Sequence, residues 1–105
     1  MAIEVNESNF SEEVVNSKQP IVVVDFYASW CGPCKQMSPI IDTLSKEYVD
    51  KAKFVKVDID KSRDLAIKYG ITSIPTLIFF KNGQPLTKEV GFKSQEEIKR
   101  IIDKI

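Results

Sequence analysis

The chain has no histidine and only two cysteines among its 105 residues. Without histidine, imidazole acid–base catalysis and zinc binding through imidazole are both closed to it. Two thiols alone fall short of the four ligands that a structural zinc site takes. There is also no excess of charge: Lys+Arg and Asp+Glu each number 15, so the formal net charge is +0. A nucleic-acid binder needs a basic surface to neutralise phosphates, and that class loses its main support. No apolar run approaches the ~20 residues of a membrane-spanning helix. The opening residues, Met1-Ala2-Ile3-Glu4-Val5-Asn6-Glu7, lack a basic stretch followed by an apolar one. A secretory signal is therefore not expected there, and a cytoplasmic location is. No GxGxxG fingerprint for a dinucleotide occurs.

What is present suits a single α/β domain over residues 1–105. Hydrophobic residues make up 43% and charged residues 29%, close to the soluble globular average and away from disorder. A chain of this size buries roughly two-thirds of its unfolded surface, enough for a core without disulfide staples. There is no internal repeat, low-complexity stretch or linker.

The two cysteines, Cys31 and Cys34, stand in Trp30-Cys31-Gly32-Pro33-Cys34-Lys35. A bridge over so short a loop constrains the unfolded chain little, so its value is not stability. Ahead of it, Ile21 to Ala28 is a continuous β-branched and aromatic run, the pattern of a strand buried on both faces. Behind it, Met37, Ile40, Ile41, Leu44 and Tyr48 recur at helical spacing. The pair thus falls where a central strand ends and a helix begins. Pro33 suits a first helical turn, and Gly32 lets backbone or substrate come close. Unpaired N–H groups and the dipole at a helix N-terminus favour a thiolate, the nucleophile of disulfide exchange. Cys31 is expected to attack a substrate disulfide. Cys34, a turn further in and less exposed, is expected to attack the resulting mixed disulfide. The bland alternative is a pair of ordinary core thiols.

The rest of the chain reads as alternating elements. Ile3-Glu4-Val5 is a candidate first strand. Ser8 or Ser11 is a candidate cap for a helix turning Phe10, Val14 and Val15 inward. Ala52 to Ile59 reads as a third strand. A short helix from Asp60 or Ser62 carries Leu65, Ala66 and Tyr69 and stops at Gly70. Thr76 to Phe80 is a further strand, Asn82-Gly83 a hairpin turn, and Leu86 to Val90 the return. Ser94-Gln95-Glu96-Glu97 is a capping box for a helix with Ile98, Ile101, Ile102 and Ile105 on one stripe. Pro39 sits inside the long helix and predicts a kink.

Asp25 lies within the buried strand. Burial disfavours its charged form, so its pKa is expected to rise, and a carboxyl of that kind beside Cys34 can exchange a proton with it. The alternative is a strand-end carboxylate reaching solvent. Lys56 interrupts an apolar strand and is expected either to snorkel to water or to pair with Asp25.

Trp-Cys-Gly-Pro-Cys-Lys after a strand containing Asp-Phe, then Ile74-Pro75-Thr76, Asn82-Gly83 and Val90-Gly91, resembles the thioredoxin family over essentially the whole chain. The resemblance implies a mixed five-stranded sheet in the order 1-3-2-4-5 flanked by four helices. It implies strands 1 to 3 parallel and the last two antiparallel to them. It implies a cis Ile74–Pro75 bond beside the cysteines, with the Ile74 backbone pairing with an extended substrate segment. It brings Lys56 near Asp25. Trp30, Gly32, Pro33, Ile74, Pro75, Gly83 and Gly91 would then bind substrate on a flat apolar surface. For Gly83 a turn role alone is the alternative, and for Trp30 core filling. Tyr27 stands where many relatives have a second tryptophan, and Phe92 where a small residue is common.

The expected activity is a general protein disulfide reductase: a monomer with no metal or cofactor beyond the Cys31–Cys34 disulfide itself. Its partners would be disulfide-containing proteins and a separate thioredoxin reductase that restores the dithiol, with no nucleic acid and no membrane. Two rivals remain open at this point. An oxidase or isomerase of the same fold usually carries histidine between its cysteines, which this chain lacks. A binding module would keep its function without either cysteine.

Overall fold

Five strands, β1 (Ile3–Glu4), β2 (Ile21–Tyr27), β3 (Lys53–Asp58), β4 (Thr76–Lys81) and β5 (Gln84–Val90), form one sheet in the order β1-β3-β2-β4-β5. The coordinates, a computed structural model, describe residues 2–105; Met1, where the N-terminal reading and the expected domain begin, lies outside them. A short π-helical turn (Ser11–Val15) and three α-helices, α1 (Gly32–Glu47), α2 (Arg63–Lys68) and α3 (Gln95–Lys104), cover the sheet.

β2 is the spine because nearly every residue in it can be buried. It pairs parallel with β3 and antiparallel with β4, and Val22 through Phe26 are all buried. Alternate residues point to opposite faces of a strand. Val22, Val24 and Phe26, with Ile78 and Phe80 of β4, meet Phe10, Val14 and Leu65 on one face. Val23, with Leu77 and Phe79, meets Met37, Ile41, Leu44, Ile98 and Ile102 on the other. The apolar stripes of α1 and α3 are thus spent on the sheet.

β1, β3 and β2 run parallel, as the resemblance implies, and β4 opposes them. The direction of β5 corrects the expectation. It is antiparallel to β4, so it runs the same way as β1 to β3. A tight hairpin at Asn82-Gly83 permits nothing else, and both residues there have positive φ, 52° and 81°.

Local detail departs from expectation at the first helix. Neither Ser8 nor Ser11 caps it; Phe10 occupies the N-cap with no side-chain bond. Asn6 does that work one turn earlier, its Oδ1 accepting from the Ser8 N–H at 2.9 Å and from the Ser8 hydroxyl at 2.6 Å. The Asn16 N–H reaches the Ser11 carbonyl five residues back at 2.8 Å, and this wider winding leaves Val15 exposed while Val14 stays buried. Ser62 begins α2 without a side-chain cap, and Asp58 Oδ1 accepts from the Asp60 N–H instead. The capping box at Ser94 and Glu97 forms in both directions. α1 continues through Pro39 to Glu47.

Gly83 has a structural duty. A Cβ built there would lie 2.5 Å from the Val15 carbonyl oxygen, on top of an unfavourable φ. Gly83→Ala is expected to destabilise the fold by about 1–3 kcal/mol, read from urea unfolding.

Candidate active site

The chain leaves β2 at Tyr27 and enters α1 at Gly32, so the cysteines sit at the C-terminal end of the central strand. Cys31 is the N-cap of α1, with extended backbone at φ −88° and ψ 116°. Its Sγ accepts from the Cys34 N–H at 3.2 Å, while its carbonyl accepts from the Lys35 N–H at 3.1 Å. Pro33 falls in the first turn, where no N–H is needed. The two residues are joined as a disulfide with Cα atoms 5.2 Å apart. Both are buried, at 6% exposure for Cys31 and 3% for Cys34, so the expected difference in access is small.

The Ile74–Pro75 bond is cis. The Ile74 carbonyl oxygen lies 4.0 Å from Cys31 Sγ, a contact across 43 residues of sequence. The Gly91 N–H donates to the Pro75 carbonyl at 2.8 Å, tying the end of β5 to the same loop. Gly91 has φ +95°, a conformation that side-chain-bearing residues rarely adopt. Gly32 and Pro33 are exposed, Ile74 and Gly91 half-buried and Pro75 buried. Trp30 is 67% exposed, which excludes core filling. Val90 and Phe92 are exposed beside Gly91.

Gly83 is not part of this cluster. Thr76 pairs with Phe26 at the cysteine end of the sheet, whereas Lys81 pairs with Ile21 at the other end. A strand of this length separates the ends by roughly 17 Å, and Gly83 lies beyond the far one. The substrate-binding expectation for Gly83 is corrected to its turn role.

Asp25 is 1% exposed, which removes the solvent-reaching alternative, and neither carboxyl oxygen has a hydrogen-bond partner among the described residues. Burial is the main cause that raises its pKa to about 7; Lys56 opposes the rise, and Glu4 and Asp42 add to it. Lys56 stands directly across from Asp25 in the parallel register. Its ammonium forms no salt bridge there. It donates instead to Ser38 Oγ at 2.8 Å and lies 4.8 Å from the centre of the Tyr27 ring. Tyr27 in turn donates its phenolic hydrogen to Glu4 at 2.6 Å, and burial followed by that bond holds its pKa well above the ordinary phenol value. A cavity of about 90 Å³, lined by Tyr27, Ala28, Ser29, Cys34, Lys35, Ser38 and Lys56, connects the Lys56 ammonium with Cys34.

Two residues of this neighbourhood escaped the sequence reading. Asp60 Oδ2 accepts from the Trp30 indole N–H at 2.8 Å and anchors the exposed ring. Ser38 holds Lys56. Asp60 lies two residues past the end of β3 and Ser38 sits one helical turn after Cys34, but neither position signals a partner 30 or 18 residues away. No group of three or more potential metal-ligating side chains occurs among the described residues.

The comparisons with known proteins agree with this geometry. The thioredoxin family model matches residues 1–104. The thioredoxin of Staphylococcus haemolyticus is 42% identical over 102 residues, covering 97% of this chain and 95% of the relative. A Staphylococcus aureus thioredoxin, from strain MW2, is similar to the same extent. With a dithiol pair at disulfide distance on the strand-to-helix junction of this sheet, the chain belongs to the thioredoxin family and is a thiol–disulfide oxidoreductase with protein-disulfide reductase activity.

Proposed function

We propose that residues 1–105 act as one monomeric cytoplasmic unit in which Cys31 is the attacking thiolate and Cys34 the resolving thiol. The observation that carries this is the Cys31 sulfur at the N-cap of α1, facing the Cys34 N–H at 3.2 Å. A thiolate there gains from the helix dipole and from that N–H, whereas Cys34 lies within the first turn. Cys31 attacks one sulfur of a substrate disulfide, and the other leaves as a thiolate. Cys34 then attacks Cys31 Sγ, the mixed disulfide breaks, and the Cys31–Cys34 bond forms. Two electrons pass from this protein to the substrate, which ends as two thiols.

Asp25 accepts the Cys34 proton as that thiol attacks. A carboxyl poised near neutrality suits this work, because it holds and releases a proton in the working range. Lys56 biases that equilibrium by its charge. Trp30, Gly32, Pro33, Ile74, Pro75 and Gly91 receive an extended segment of the substrate, with the Ile74 backbone as the pairing edge. A separate thioredoxin reductase restores the dithiol, and no metal or other cofactor takes part.

The test is the pH dependence of alkylation of the reduced protein. Cys31 should react with a midpoint below the ~8.5 of a free cysteine and ahead of Cys34. A peptide-like midpoint, with equal labelling of both sulfurs, would overturn the assignment.

A further inference from the structure

Cys34, Ser38 and Asp42 follow one another at intervals of four on α1, so they form a row along one face of the helix. That row overlooks the face of the sheet from which Asp25 and Lys56 project, since paired residues of parallel strands point the same way. Cys34 and Ser38 both line the cavity that Lys56 closes.

Lys56 and Asp25 are the only opposite charges directly across from each other in the β2–β3 register, yet they form no ion pair. The ammonium is held elsewhere, by the Ser38 hydroxyl and the face of Tyr27. An unpartnered buried carboxyl beside a tethered cation is a specific arrangement. Removing the tether would let the nearest unsatisfied anion capture the charge.

We propose that Ser38 is a positioning residue for the resolving step: by accepting a hydrogen bond from Lys56 it keeps the ammonium off Asp25, so that Asp25 stays free to take the Cys34 proton. This rests on the assignment of Asp25 as proton acceptor. The charged and titratable groups facing the site are Glu4 on β1, Tyr27 on β2, Lys56 on β3, and Cys34, Lys35 and Asp42 on α1; β4 offers Leu77 opposite Asp25 and adds no charge. The proton balance is simple. The Cys34 S–H bond breaks, its proton goes to an Asp25 oxygen, and the sulfur electron pair forms the bond to Cys31 as the substrate thiolate departs.

The test follows Asp25 in Ser38→Ala. An opposite charge brought within ~4–6 Å favours the carboxylate, so the midpoint of the Asp25 carboxyl resonance in the reduced protein should fall by about one pH unit or more. The pH profile for decay of a mixed disulfide, preformed on Cys31, should move the same way. Ser38→Thr keeps the hydroxyl and should restore both. In a Lys56→Met background, Ser38→Ala should move neither. An unmoved Asp25 midpoint in Ser38→Ala, with Asp25→Asn still slowing the decay, would overturn the role of Ser38 alone. If Asp25→Asn left the decay unchanged, the proton-acceptor reading itself would fall, and the Ser38 proposal with it.

Discussion

Replacing Cys31 with serine is expected to reduce protein-disulfide turnover to the uncatalysed background, to be read as reduction of insulin disulfides by dithiothreitol with the variant as mediator. A serine hydroxyl at the same N-cap cannot become an anion near neutral pH and cannot form a disulfide. Nothing else can substitute, because the chain has no third cysteine. Cys34→Ser should give a different defect. On the proposed roles the first attack should proceed, since Cys31 keeps its place at the head of α1, but the captured substrate would have no sulfur to displace it. Mixed disulfides with substrate proteins should therefore accumulate, visible as reductant-sensitive adducts on non-reducing gels. Full turnover in Cys31→Ser would end the mechanism. Trapping by Cys31→Ser, and not by Cys34→Ser, would reverse the two roles.

Asp25 produces the second large effect, and it appears in stability. Its carboxyl titrates at about 7 in the native protein against 3.8 when unperturbed, chiefly because burial disfavours the charged form. Below pH 3.8 both native and unfolded chains hold the proton, so no difference arises. Between 3.8 and 7 the unfolded chain releases it while the native chain keeps it, and native stability falls as pH rises. Above the native value the penalty is constant. A shift of about three units corresponds to about 4 kcal/mol. Asp25→Leu removes the titration and fits an apolar site beside Val23 and Leu77. Its stability advantage over the native chain should open between pH 4 and pH 7 toward about 4 kcal/mol, read from urea unfolding at several pH values. A gap independent of pH would show that Asp25 is not titrating in that range. The same variant should resolve mixed disulfides more slowly, a gain in stability set against a loss in exchange.

The surface around the cysteines divides similarly between packing and exchange. Trp30 is exposed but fixed by Asp60, and Val90 and Phe92 flank Gly91. On the proposed binding role, an apolar rim next to buried sulfurs should favour an extended protein segment over a small thiol, because only a chain would cover the rim and pair with the Ile74 backbone together.

Much of this molecule is written in local periodicity. The run Ile21–Tyr27, the stripe behind Cys34, the Asn82-Gly83 turn and the Ser94–Glu97 capping box are each specified by neighbours a few residues apart, and each forms as read. The position of the dithiol at a strand-to-helix junction follows from the same patterns. The tertiary structure alone decided the pairings across long stretches of chain. Gly83 carries the same positive-φ signal at either end of a sheet, so only the register of β4 on β2 removes it from the substrate surface. Lys56 has a carboxyl directly across the sheet and still bonds to Ser38, because α1 brings a hydroxyl over β3 that no spacing in the sequence encodes. Local sequence determines which conformations are cheap; only packing one element on another determines which polar groups meet.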